Sequence, residues 1–116
     1  MTFREYQEKS RRTQNPALTD EERMIHAMSG IGSEAGEILS ILQHRYQGKA
    51  IESLDVLCEL GDLLWFAAEL CDAMHEDLDT VAAANVRKLQ MRYPHGFSAA
   101  RSEKRHTFGE DGGGEC

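Results

Sequence analysis

Two pairs of carboxylates stand out by type and spacing. In GSEAGEI, residues 32–38, Glu34 and Glu37 lie three residues apart, and Glu59 and Asp62 repeat that spacing in ELGD. At about 100° per residue, each pair falls roughly 60° apart on one face of a helix. QGK at 47–49 breaks the pattern between them, so helices on either side of it pack as antiparallel neighbours. Counted from residue 48, Glu37 lies eleven residues before and Glu59 eleven after, which puts the two pairs at matching heights. Four carboxylates converging in an apolar bundle cannot all stay ionised without positive charge nearby. Divalent cations supply it, and oxygen ligands without His or Cys favour Mg²⁺, or Mn²⁺, over zinc. The competing reading is that such pairs are solvated helix faces. Glu52 with Asp55 and Glu69 with Asp72 copy the same spacing, and only the height argument prefers Glu59 and Asp62.

The elements that must position these groups read as helices. Thr2 with Glu5 and Thr19 with Glu22 are capping boxes that start helices. The first is expected to run to about residue 14, where NP at 15–16 ends it. The second runs to about residue 46 and carries GSEAGEI. A third, mostly apolar helix spans about residues 51–74. Asp77 is a plausible N-cap for a fourth over about 78–92, and residues 98–105 suit one short helix more. The expected architecture is all-α, an antiparallel four-helix-type bundle with short connections, completed by oligomerisation. Residues 1–108 form one domain in this reading, and the glycine-rich 109–116 a flexible tail.

Composition narrows the function. The 116 residues carry a net charge of −7, so a bare nucleic-acid backbone is not an expected partner. No apolar run reaches membrane-spanning length, and the charged opening MTFREYQEKSRR does not read as a signal peptide. Cysteines at 58, 71 and 116 show neither a disulfide framework nor zinc spacing, which fits a reducing cytoplasm.

Further side chains could serve the carboxylates. In the fourth helix Leu78, Val81, Val86 and Leu89 make an apolar stripe, and Asn85 falls near its middle. Asn85 suits either a satisfied core amide or a ligand contact. Lys88 and Arg92 follow at i+3 and i+7, within reach of the same region, or Lys88 is an ordinary surface lysine. His26 lies within about 20° of Glu37, nearly three turns earlier, and suits a substrate contact or a structural role. Trp65 follows Asp62 by three residues and could stack on a base or fill the core.

At this point three ordered blocks resemble a family. GSEAGEI, then ELGDLLWFAAEL, then NVRKLQMRYPHGF resemble the ExxE…ExxD and N-x-x-K-L-x-x-R-Y-P segments of the MazG-like all-α nucleoside triphosphate pyrophosphohydrolases, over roughly residues 20–98. Many members have two consecutive glutamates where this chain has Ser33 and Glu34. The resemblance implies cleavage of an NTP between the α and β phosphates, giving NMP and pyrophosphate. It implies that Glu34, Glu37, Glu59 and Asp62 bind Mg²⁺, that Asn85 and Lys88 contact the nucleotide, and that the chain forms homodimers or homotetramers. Two other readings compete. One is a non-catalytic helical interaction or regulatory module of the same fold. The other is a di-iron carboxylate bundle, which calls for ExxH pairs that this chain lacks. Gly30, Gly32 and Gly36 crowd the first carboxylate pair at about 1 kcal/mol each in helix propensity. Gly30 and Gly36 are expected where a facing helix or a bound phosphate must come close.

Overall fold

The computed structural model describes residues 1–104. The helices are α1 (Phe3–Ser10), α2 (Asp20–Tyr46), α3 (Ser53–Ala73), α4 (Leu78–Arg92) and α5 (Ala99–Lys104), with a 3₁₀ turn over Arg11–Thr13. The described residues hold no strand, so the fold is all-α as expected. The glycine-rich segment 109–116 lies outside the described residues.

Local chemistry sets these bounds. At α1 the Thr2 hydroxyl accepts from the Glu5 amide at 3.1 Å, and the Glu5 carboxylate accepts from the Thr2 amide at 2.7 Å. Thr19 and Glu22 make the same reciprocal pair at the start of α2, at 3.2 and 3.0 Å. The end of α2 is closed by Gly48 at φ 83°, whose amide donates to the Arg45 carbonyl while that of Lys49 donates to His44. His75 takes the same left-handed position after α3, at φ 57°. There the His75 amide donates to Asp72 and that of Glu76 to Cys71.

The chain divides into two compact units, residues 1–78 and the residues from 79 onward. In the first, α2 and α3 pack along their length and α1 lies on α3. Ala68, Cys71 and Leu78 form its core, with Tyr6 and Leu64 against them. Gln7, buried on α1, ties the far end together. Its amide donates to Asp72 Oδ1 at 2.8 Å and to the Glu76 carbonyl at 3.0 Å, and its oxygen accepts from the Leu78 amide at 2.8 Å. All the polar atoms of this side chain are therefore partnered, as burial demands.

In the second unit, the Arg101 guanidinium donates to the Arg92 carbonyl at 3.2 Å. The stripe expected on α4 is only partly covered. Leu78 is buried, but Val81, Val86 and Leu89 stay about half exposed and Asn85 is exposed. Asn85 is thus not buried among the described residues. No described helix is long and apolar enough to cross a membrane.

Candidate metal centre

Helices α2 and α3 meet in successive layers. His26 faces Glu69, Gly30 faces Phe66, and Glu34 faces Glu59 and Asp62. Moving up α2 by four residues moves down α3 by three or four, the register of an antiparallel pair turning about residue 48. Gly30 makes the approach possible. A Cβ there would collide with the Phe66 ring. Among the described residues nothing comes within 4 Å of a Cβ at Gly32 or Gly36, so no facing helix crowds Gly36.

One carboxylate oxygen each from Glu34, Glu59 and Asp62 lies within 4.8 Å of the other two. Glu34 and Glu59 are half-buried and Asp62 is exposed. Loss of hydration, a hydrogen bond with Glu59, and the charges of Asp62, Glu59 and Glu37 push the Glu34 carboxyl above its usual range. Carboxylates this close to one another favour the protonated form of one of them. The group has the oxygen-only donor set that suits a hard divalent cation, and no histidine joins it among the described residues. Glu37 is exposed and stands outside the three-membered group, although its charge reaches Glu34.

The look-alike carboxylates have other partners. Asp72 accepts at Oδ1 from Gln7 at 2.8 Å and from Arg11 at 2.9 and 2.8 Å, and at Oδ2 from Gln14 at 2.8 Å. Burial alone would raise its pKa. The hydrogen bonds from Arg11, Gln14 and Gln7 outweigh that and hold the carboxyl below its usual range. Glu69 is buried and meets Nδ1 of His26 at 2.6 Å. Glu52 and Asp55 are exposed at the start of α3.

His26 also packs edge-on against Phe66 and Trp65, with centroids 5.4 and 6.3 Å away. The Trp65 indole donates to the Thr13 hydroxyl at 2.7 Å. Both residues thus border the layer next to the carboxylates rather than the group itself. Asn85, Lys88 and Arg92 lie on α4, the first exposed and the other two half-buried. Glu69 is the residue whose part the sequence concealed. Its spacing to Asp72 suggested a rival pair, whereas its height, matching that of His26, was the informative signal.

An antiparallel helical pair with facing carboxylates and no histidine ligand defines an all-α protein with a candidate hard-cation site. More particularly, the chain belongs to the MazG nucleotide pyrophosphohydrolase family, whose domain matches residues 22–97. It is also similar to the Gene 37 protein of Mycobacterium phage L5, 32% identical over 89 residues, which are 72% of this chain and 78% of that protein. No solved structure matches the chain.

Proposed function

We propose that the chain is a Mg²⁺-dependent nucleotide pyrophosphohydrolase that cleaves an NTP or dNTP between its α and β phosphates, releasing NMP and pyrophosphate. The observation that carries this reading is the convergence of Glu34, Glu59 and Asp62 inside a MazG domain. These three, with Glu37 beside them, are the proposed ligands for Mg²⁺, and Mn²⁺ fits the same donors. A divalent cation held there would neutralise phosphate charge and lower the pKa of the attacking water. The carboxylates are proposed to orient a water and receive its proton as its oxygen bonds to the α phosphorus and the bond from that phosphorus to the α–β bridging oxygen breaks, that oxygen leaving with pyrophosphate. His26 and Trp65, in the layers beyond, are proposed to meet the nucleoside. Asn85, Lys88 and Arg92 of α4 are proposed to bind the substrate too. Unpaired Cys58 and Cys71 agree with a cytoplasmic setting.

The test is incubation with canonical and modified NTPs and Mg²⁺, with assay of NMP, pyrophosphate and orthophosphate. NMP and pyrophosphate in equal amounts, abolished by EDTA and restored by Mg²⁺, are expected. Orthophosphate alone, or no turnover with any nucleotide, overturns the reading.

A further inference from the structure

The most deeply buried ionisable group of the first unit has no part in the chemistry above. Glu69 is 1% exposed, yet it meets a histidine whose side chain is 51% exposed. Burying a carboxylate is costly unless it is well partnered, and an apolar residue generally serves core stability as well or better. Fixing a half-exposed imidazole adds little to packing. It adds a great deal to orientation.

The imidazole is restrained on several sides. Nδ1 is held by Glu69, the Phe66 ring lies edge-on 5.4 Å away, and the Trp65 ring, itself anchored to Thr13, lies 6.3 Å away. With Glu69 ionised its oxygen accepts from Nδ1–H, and in the neutral ring that tautomer leaves the lone pair at Nε2. Eight residues along α2 separate His26 from Glu34, about 12 Å of helix rise. That is comparable to the reach from a nucleotide's phosphates to its base.

We infer that Glu69 is a positioning residue, fixing His26 so that Nε2 accepts a hydrogen bond from an N–H group on the nucleobase of a substrate held by its phosphates at the carboxylate cluster. The inference rests on the nucleotide reading above. The pair then contributes to base choice rather than to bond cleavage.

His26→Asn is the decisive variant. Its amide nitrogen takes the place of Nδ1, keeps the bond to Glu69 and removes Nε2. KM should rise roughly tenfold, as for one lost hydrogen bond, with kcat within about threefold and thermal stability retained. Glu69→Gln should raise KM similarly while Mn²⁺ binding, read by electron paramagnetic resonance, is unchanged. In the wild type, ¹⁵N spectra should show His26 protonated at Nδ1. Its Nε2 resonance should move on saturation with one or more of α,β-methylene ATP, GTP, CTP and UTP plus Mg²⁺. Unchanged KM in His26→Asn, or bound nucleotide with an unmoved Nε2 resonance, overturns the inference. A moving Nε2 resonance without any turnover sinks the hydrolase reading and leaves the positioning pair standing. Failure of all four analogues to bind, with no turnover of any canonical or modified NTP, sinks both.

Discussion

The carboxylates of the first unit fall into two physical types, and the difference predicts opposite mutational behaviour. The charges of Glu59 and Asp62 disfavour an ionised Glu34, so neutralising any of the three removes a repulsion within the folded chain. Glu34→Gln and Asp62→Asn should leave the helical circular dichroism and melting temperature unchanged or slightly raised, while turnover falls by more than about 100-fold. Glu37 stands just outside the group, so Glu37→Gln should lose roughly 10–100-fold in the same assay. Asp72 is the opposite type, a buried acceptor held by three side chains. Asp72→Asn should destabilise by about 2 kcal/mol, read by urea unfolding. The pH dependence follows from its lowered pKa. Its stabilisation is fully present above the unfolded value of about 3.9 and is lost as pH falls through the lower folded value. The gap between wild type and Asp72→Asn should therefore stay constant from neutral pH to about pH 5 and close below about pH 4.

At the scale of the helices, two glycines of one helix should respond oppositely to alanine. Gly30→Ala drives a methyl into the Phe66 ring, and overpacking at about 1–3 kcal/mol exceeds the propensity gain of about 1. Gly36→Ala meets nothing within 4 Å and should stabilise by about 0.5–1 kcal/mol. Thermal unfolding of the two variants reads the contrast directly, and equal shifts would remove the close approach at Gly30 as its cause. The same local chemistry explains what was legible in the sequence. Capping boxes and the break near Gly48 set the helix bounds, and distances from the turn put the two carboxylate pairs at one height, although the residue counted against Glu59 was Glu37, which stands outside the group of Glu34, Glu59 and Asp62. The fate of Glu69 and Asp72 was hidden because it depends on groups brought from elsewhere. Gln7 and Arg11 come from α1 and the turn after it, and His26 comes from across the hairpin. Asn85 stayed open between core amide and ligand contact because a stripe on a helix does not state what covers it.

At the scale of assembly, α2 has more apolar surface than the first unit covers. Ala27 and Gly30 are buried, yet Ile25, Met28, Leu39, Leu42 and Tyr46 are exposed. With Gly32 and Ala35 between them, these residues repeat every seven positions from 25 to 46, the alternating three-and-four spacing of a helix-pairing seam. A helix apolar on two sides is one that packs on two sides. A second copy of the chain presents the same seam, so a closed two-fold pairing satisfies both at once. The wild type is therefore expected to sediment as a dimer, or as a tetramer built from dimers, at micromolar concentration. Leu42→Glu places a charge in the apolar seam of each copy and should shift the equilibrium to monomer by at least about tenfold in dissociation constant, or about 1.4 kcal/mol. Leu42 is exposed in the single chain, so the substituted monomer should keep its helical spectrum, which separates lost pairing from lost folding. A monomeric wild type, or a Leu42→Glu variant that stays fully associated, would show that the seam is covered by something other than its own copy.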